Sequence, residues 1–464
     1  MKEDLISFKQ KYKENPAWHW LQATVFLFPI LPEYVSPFIL FISFIIFKRQ
    51  WTKEGRKAKV GTIGKLMMVF LTLAVVSTLW SSTKFSTFAT AMLWWGMLLV
   101  EIMIYNLARS REKIDRLLAA MVYSGGLNAI VGTVQICTYT LYRFGYISQS
   151  AVLVTPFYRQ LDKAVYSALP FDIVTSMWST RASGFFSNPN LLATYMVIVY
   201  PISIYLYLNA STKNKKITFF IFNVLISAGM SSTMTRAGCF IAIAGWVFMF
   251  VILAKRHWKE MIQIFIPTVC IIIPSILTRY GLIFKTVGVV SGGGSGGAEA
   301  KKSSLAHFQI WDSLVDFLIT NPKELLFGTG FGVEETGLIL LNNYGLDKPH
   351  AHNFLLETWV ELGVFGMLLF MCVFVLAFGK LLEINANNGK KFTLVFCVFT
   401  SILLYLLFGL TDYIFNSPKQ IIILFILLGL TQAISFCYEK TVINSPETLK
   451  LATIKEIDNA IHKA

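Results

Sequence analysis

The sequence has 464 residues, of which 55% are hydrophobic and only 14% are charged. This composition excludes a soluble globular protein of that length, and the long apolar runs are typical of a protein that crosses a membrane several times. The net charge of +15 does not indicate nucleic-acid binding, because the basic residues lie in short loops between the apolar runs. The six cysteines lie in or beside those runs without a Cys-x-x-Cys pair, so nothing indicates a disulfide framework.

The apolar runs predict an all-α polytopic membrane protein with about 12 transmembrane helices, since no pattern of alternating lipid-facing strands is present. The first two runs are short and compatible with a tilted hairpin that contains Pro29, Pro32 and Pro37. In chain order the runs span residues 17–31, 33–47, 63–80, 87–107, 117–138, 190–208, 217–233, 237–254, 260–278, 353–379, 392–410 and 420–437.

Twelve crossings place both termini on the same side of the membrane. Roughly two thirds of the 41 lysine and arginine residues then fall on that side, mostly in short loops, where positive charge marks the cytoplasm. We therefore predict cytoplasmic termini, with residues 438–464 as a cytoplasmic tail, in a bacterial cytoplasmic membrane.

This topology divides the chain into three parts. Residues 1–278 hold the first nine segments with an outer loop at 139–189, residues 279–352 form a large extracytoplasmic loop, and residues 353–437 hold the last three segments. Loops of this length usually carry function.

The large late loop has two predicted regions. The stretch SGGGSGGAEAKK (291–302) is predicted to be flexible, because it is rich in glycine. The stretch SSLAHFQIWDSLVDFLI (303–319) is predicted to form a helix at the outer membrane surface, since Trp311, Leu314 and Leu318 share an apolar face.

Three groups of polar residues fall on the predicted outer face. The first is STRASGFFSNPNLLATY (179–195), in which Arg181 lies just outside the sixth segment. The Asn188-Pro189-Asn190 turn follows, and Asn190 is predicted to cap the next helix.

The second group, SAGMSSTMTRAGCF (227–240), places Arg236 between the seventh and eighth segments with almost no loop around it. An arginine at that depth is costly unless it faces a partner or a wet cavity.

The third group is KPHAHNFLLETWVELGVFG (348–366), which begins just before the tenth segment. It contains His350 and His352, and then Asn353, Glu357 and Glu361 at a spacing of four residues, on one helix face. The pattern predicts two imidazoles at the start of a helix, with carboxylates one and two turns inside it.

These residue types suit the transfer of a group from a phosphate leaving group to an alcohol. The planar guanidinium groups of Arg181 and Arg236 match phosphate oxygens, and a neutral histidine is the usual general base for a hydroxyl. We predict no metal and no cofactor, because no Asp-x-Asp motif is present and a zinc site on His350 and His352 lacks a third ligand of suitable spacing.

At these residues the sequence resembles the O-antigen ligase and polysaccharide polymerase superfamily. Three motifs carry the resemblance, in the same order. They are Arg181-x-x-Gly184 with Asn188-Pro189-Asn190, then Arg236-Ala237-Gly238, then His352-Asn353 with Glu361-Leu362-Gly363 and Gly366.

The resemblance implies a metal-independent, inverting membrane glycosyltransferase that acts on the extracytoplasmic face. Its implied partners are a glycan donor on undecaprenyl diphosphate, a glycan or lipid-glycan acceptor, and membrane lipids. Arg181 and Arg236 would hold the diphosphate, and His352 would activate or orient the acceptor hydroxyl.

One position departs from the family pattern. The family often has an arginine four residues before the tryptophan of the surface helix. Here the tryptophan is Trp311 and the position holds His307. In the family this arginine would contact phosphate, and here protonated His307, Lys301 or Lys302 would have to make that contact.

Each candidate also has a purely structural interpretation. His352 could bond only to backbone, and His350 and His307 could be solvent-exposed. Arg236 could pair with Glu357 or Glu361. Arg181 could anchor its loop to lipid headgroups.

The functional alternatives also stay open at the sequence level. A ligase and a polymerase share these motifs. A transporter or flippase of lipid-linked glycan would suit twelve segments, although paired halves are not evident. A non-catalytic component of a polysaccharide assembly complex is a third hypothesis.

Overall fold

The computed structural model describes residues 15–33, 35–143, 145–146, 181–279, 295–384 and 389–443, and all regular structure in these ranges is helical. Most of the predicted outer loop 139–189, part of the glycine-rich stretch and the predicted tail from residue 444 onward lie outside the described residues. The helices are α1 (Pro16–Leu27), α2 (Ser36–Lys53), α3 (Thr62–Val76), α4 (Lys84–Leu107), α5 (Arg111–Arg143), α6 (Pro189–Leu208), α7 (Lys213–Ser232), α8 (Arg236–Arg279), α9 (Ser295–Thr320), α10 (Pro322–Phe327), α11 (Val333–Tyr344), α12 (Phe354–Leu382), α13 (Gly389–Gly409) and α14 (Pro418–Ile443).

Each of the twelve predicted segments overlaps a helix. Within the described ranges, eight helices are long and apolar enough to cross a membrane, which confirms a polytopic membrane protein. α8 counts as one of the eight, although its backbone leaves helical geometry at His257, between the eighth and ninth predicted segments. α1, α2 and α7 fall short of that length or hydropathy, so the number twelve remains a prediction.

α6 and α14 lie at the centre of the bundle. Their most apolar windows are 94% and 83% buried, against 39% for α12. A helix at the centre of a bundle is covered by other helices on all sides, whereas a lipid-facing helix leaves one side uncovered. α6 is tied to the first turn of α14 by the side chain of Gln420, which donates to the carbonyl of Leu191 at 2.8 Å.

α9, α10 and α11 form a small helical layer on the start of α12. The layer has its own apolar core, and the Trp311 indole donates to the carbonyl of Ala351 at 2.8 Å. α9 begins at Ser295, so the prediction that it starts at residue 303 was wrong. The predicted surface helix packs against α11 and α12, where Leu314 and Leu318 are fully buried, and its location at the outer membrane surface stays a prediction.

A turn between α10 and α11 fits a break in α12. Gly363 has φ +69°, which ends the first part of α12 and leaves two carbonyl groups without helical partners. The backbone N–H of Thr329 donates to Val360, and that of Gly330 donates to Glu361, both at 2.9 Å. The turn therefore holds the first two turns of α12, where the predicted site residues begin.

The carboxylate of Glu335 fastens α11 to the start of α4. It accepts hydrogen bonds from the hydroxyls of Ser81 and Ser82 and from both the backbone and hydroxyl of Thr83. Thr83 is the residue before α4, so the negative charge also faces the positive end of that helix.

Candidate active site

His352 lies at the centre of the candidate site, on the short link between α11 and α12. Its backbone has φ +52°, an uncommon conformation for a residue with a side chain. Asn353 follows as the N-cap of α12, where its side chain accepts from the N–H groups of Leu355 and Leu356. Asn353 therefore stabilises the start of α12 and fixes the position of the preceding residue, His352.

Asp412 fixes the ring of His352. It lies just after α13, and its Oδ1 atom is 2.9 Å from Nδ1 of His352. Burial by itself raises the pKa of Asp412, but the hydrogen bond from His352, the neighbouring imidazoles and Asn190 bring it down to about 2. The carboxylate is therefore ionised, so Nδ1 of His352 carries the proton and its Nε2 is the acceptor.

Asn190 connects Asp412 to the first arginine. Its Nδ2 donates to Oδ2 of Asp412 at 2.6 Å, while its Oδ1 accepts from the Arg181 guanidinium at 2.6 Å. The predicted capping role of Asn190 was wrong, because Asn188 caps α6 and accepts from the N–H groups of Asn190 and Leu191. The amide of Asn190 is thereby free to bridge the two charged groups.

Arg181 also joins the first sequence motif to the second. Its guanidinium donates to Oγ1 of Thr235 at 2.7 Å and to the carbonyl of Thr233 at 2.9 Å. These residues directly precede Arg236 at the start of α8. One hydrogen-bonded chain therefore runs from His352 through Asp412, Asn190 and Arg181 to the Thr235 region.

Two further imidazoles lie against His352. The ring of His307 stacks on it at 4.6 Å with an angle of 6°, and the ring of His350 meets it edge-on at 4.2 Å. His350 is buried, and it accepts from the backbone N–H of His352 through Nδ1 at 3.3 Å. Burial and the neighbouring His352 ring lower the pKa of His350 to about 3, so this ring stays neutral.

Arg236 is the half-buried first residue of α8. Among the described residues, none hydrogen-bonds or ion-pairs with its guanidinium. Burial, the neighbouring His352 ring and the charges of Arg236 and Lys348 lower the pKa of His307. Arg236, at the start of α8, therefore acts on His307 through its charge.

Glu357 and Glu361 lie deeper in α12, and both are fully buried. Glu357 accepts from the backbone N–H of Ala351 at 2.5 Å, and Glu361 accepts from the hydroxyl of Tyr413 at 3.2 Å. Neither carboxylate pairs with an arginine of the described chain. Their contacts hold the segments on either side of the His352–Asp412 pair.

The middle and late parts of the chain match a known protein family. Residues 221–371 match the family described as O-antigen ligase. The match covers about a third of the chain and supports its assignment to the O-antigen ligase and polysaccharide polymerase superfamily. The family indicates a function of the ligase or polymerase type, in polysaccharide assembly. A comparison with curated proteins finds no match.

The O-antigen ligase match runs from α7 into α12, so it contains Arg236, His307, His350 and His352. Arg181 lies before it and Asp412 lies after it. The tertiary structure brings both of these residues to the matched segment, through Thr235 and His352 respectively.

The site of this O-antigen ligase-type protein could also hold a metal ion. Donor atoms of His350, His352 and Asp412 all lie within 4.8 Å of one another. Two imidazoles and a carboxylate are ligands that Zn²⁺ accepts. The sequence offered no third ligand near the two histidines, because Asp412 comes from a distant segment.

Asp412 is the residue that the sequence reasoning missed. Its signal was weak but present, since it is the single carboxylate in the short loop between the last two apolar segments, on the predicted outer side. His307 was considered but also expected to be solvent-exposed on its helix. Its stacking on His352 depends on how α9 packs against the start of α12. The side chains of Lys301 and Lys302 lie outside the described residues.

Proposed function

We propose that the protein is a metal-independent, inverting glycosyltransferase. It moves or polymerises a glycan carried on undecaprenyl diphosphate, by joining it to an acceptor hydroxyl on the extracytoplasmic face of a bacterial membrane. The observation that supports this most strongly is the 2.9 Å contact between His352 and Asp412, linked through Asn190 to Arg181.

His352 is the general base in this proposal. The ionised Asp412 holds the proton on Nδ1, which leaves the lone pair of Nε2 for the acceptor hydroxyl. The hydroxyl proton passes to Nε2 as the acceptor oxygen bonds to the anomeric carbon of the donor. The resulting imidazolium is stabilised by the carboxylate at 2.9 Å.

Arg236 and Arg181 bind the diphosphate leaving group. As the bond between the anomeric carbon and the phosphate oxygen breaks, its electron pair leaves with the diphosphate, and guanidinium groups stabilise that charge. Arg236 suits direct contact, since none of the described residues occupies its guanidinium. Arg181 adds positive charge and, through Asn190, aligns Asp412.

Inversion follows from placing base and leaving group on opposite sides of the sugar. A single displacement needs the acceptor oxygen to approach opposite the diphosphate, so His352 and Arg236 act on different faces of the anomeric carbon. No covalent enzyme intermediate is involved.

The remaining residues support this arrangement. His307 stacks on the base and could contact substrate as well. His350 holds the backbone of His352, Asn353 caps α12, and Glu357 and Glu361 brace the surrounding segments. These are positioning roles.

Reconstitution in liposomes tests the proposal. Purified protein is supplied with undecaprenyl-diphosphate oligosaccharide and a candidate acceptor, without added metal. A lengthened or transferred glycan supports the enzyme, and the acceptor that works distinguishes a polymerase from a ligase. Movement of lipid between leaflets with no new glycosidic bond would instead indicate a flippase.

Two variants test the residues in the same assay. His352→Ala and Arg236→Gln should each abolish product while membrane insertion stays intact. Lys323→Gln is the matched control, because it removes an exposed positive charge on α10 whose nearest carboxylate is only the adjacent Glu324. Normal turnover in both site variants would contradict the assignment.

A further inference from the structure

A polar cavity lies at the other end of the helix bundle. Its volume is about 330 Å³, and it is lined by the ends of α2 and α4, the starts of α1 and α5, and the link after α2. The lining side chains include Arg56, Arg109, Lys113 and Glu54.

The length of α5 gives the distance between this cavity and the candidate active site. Lys113 lines the cavity in the first turn of α5, whereas Gln135 accepts from the N–H groups of Ser183 and Gly184, next to Arg181. At 1.5 Å per residue, the helix places the two positions about 33 Å apart. The cavity is therefore a separate site.

The cavity carries an excess of positive charge. Among the described lining side chains, three cations face one carboxylate, that of Glu54. Nε of Arg56 lies 3.2 Å from Glu54, and Arg109 donates to the carbonyl of Tyr105. Within the described ranges, nothing hydrogen-bonds the ammonium group of Lys113, which lies 5.1 Å from the Trp18 ring.

The walls of the cavity are held in place by other contacts. Gln50 accepts from the backbone N–H of Ala17 and donates to Glu54. Asn106 bonds in both directions to the backbone of Lys59. These amides join α1, α2 and α4 around the opening, so the cavity is formed before any ligand arrives.

Tryptophan side chains lie in and beside the cavity. Trp51 is buried beside it, and Trp18 lies beneath Lys113. Tryptophans at the ends of membrane helices mark the level of lipid headgroups. An anion that enters here would therefore sit at the depth of a phospholipid phosphate.

We propose that this cavity binds the phosphodiester headgroup of an anionic phospholipid. Basic cavities between membrane helices are suited to such headgroups, and an uncompensated ammonium group beside two guanidiniums supplies the counter-charge. The bound lipid would bridge the α1–α2 hairpin to α4 and α5. In the proposed orientation this end of the bundle faces the cytoplasm.

Thermal unfolding of delipidated full-length protein in a neutral detergent tests the proposal. Phosphatidylglycerol added to the micelles should raise the unfolding midpoint by several degrees, because a ligand that binds only the folded state stabilises it. Phosphatidylcholine and inorganic phosphate should not. An equal rise with inorganic phosphate would overturn the lipid assignment in favour of a free-anion site.

Variants locate the effect. The double variant Arg56→Gln/Lys113→Gln should lose the phosphatidylglycerol shift, whereas Lys323→Gln, at a distant exposed position, should keep it. Lys113→Arg preserves the charge and should retain the shift, which separates loss of binding from misfolding. A shift that persists in the double variant would overturn the proposal. Glycan transfer is not measured, so the result is independent of the proposed function.

Discussion

At the scale of residues, the central relationship is that between a carboxylate and an imidazole. Asp412 would not be chosen from its local sequence, yet it decides which nitrogen of His352 is available. Burial normally raises the pKa of a carboxylate. Here the hydrogen bonds from His352 and Asn190 outweigh burial and lower the pKa of Asp412. The base at this site is therefore an oriented pair of residues.

Removal of the Asp412 charge should impair catalysis while leaving binding intact. Asp412→Asn is expected to lower the transfer rate by roughly 100- to 10,000-fold, the range that general base catalysis contributes, because the amide can stabilise the wrong tautomer of His352. Single-turnover transfer in liposomes measures this. Asp316→Asn, at an exposed carboxylate that bonds only to Tyr344 in the described structure, is the control and should be neutral.

The response to metals follows from the three donor groups of His350, His352 and Asp412. EDTA should leave the transfer rate unchanged, whereas Zn²⁺ should lower it, because the ion would occupy the lone pairs of His350 and His352 together with the carboxylate of Asp412. Mg²⁺ prefers oxygen ligands and should have no effect. A rate that falls with EDTA and recovers with added metal would contradict the metal-independent mechanism.

At the scale of elements, two connections hold the late helices in place. One is a close contact between two backbone segments, and the other is the buried carboxylate of Glu335. Gly363 in α12 and Gly328 after α10 both have positive φ, and each lies against the backbone of the segment that contains the other. A side chain at either position would meet the other segment's backbone. Glu335 forms the second connection, at the start of α4.

Gly363→Ala should destabilise the protein. The new Cβ would meet the carbonyl oxygen of Leu326 at 2.1 Å, and the backbone would be strained by about 1–3 kcal/mol even without that clash. The thermal unfolding midpoint in detergent measures the effect. Gly379→Ala lies in the same helix with no atom within 4 Å of its Cβ, so it should be neutral or slightly stabilising. Equal midpoints for the two variants would refute the account of the helix break.

Glu335→Gln should destabilise the protein at neutral pH by about 2 kcal/mol, since it weakens several charge-assisted hydrogen bonds. Burial raises the pKa of Glu335, but the bonds from Ser81, Ser82 and Thr83 outweigh it and the pKa is lowered. The stabilisation is therefore present above the unfolded value near 4.5 and is lost as the pH falls through the lower pKa of the folded state. Wild type and variant should converge in unfolding midpoint below that lower pKa, whereas Glu334→Gln should show a smaller difference at pH 7.

At the scale of the whole molecule, the fold collects three motifs at one end of the bundle. α6, α8 and α12 each begin there, and their first residues contribute Asn190, Arg236 and Asn353. The basic cavity lies at the opposite end. The placement of the two sites at opposite ends agrees with the predicted orientation, in which the active site is outside the cell and the positive loops are inside.

Cysteine labelling in intact cells tests that orientation. Asn343→Cys, exposed at the end of α11, should react with a membrane-impermeant maleimide, because it lies at the same end as His352. Lys57→Cys, exposed in the link after α2, should react only after the cells are opened. The parent protein without an added cysteine gives the background. The reverse labelling pattern would invert the topology and exclude an extracytoplasmic site.

Much of the architecture follows from local sequence, since length and apolar composition are enough to specify a helix in a bilayer. The apolar runs predicted a helical polytopic protein, and the order of Arg181, Arg236 and His352 pointed to the superfamily that the match over 221–371 supports. The early start of α9 was missed, because a glycine-rich stretch carries no helical signal of its own.

The sequence by itself determined that the chain is a membrane protein with arginines and histidines at helix ends, because hydrophobic length and loop position are local properties. Only the tertiary structure decided that Asp412 orients His352, that Asn190 bridges charges instead of capping a helix, and that His307 stacks on the base. These contacts join segments far apart in the chain. Their distances depend on how α6, α8, α9 and α12 pack, and no local pattern of residues encodes that packing.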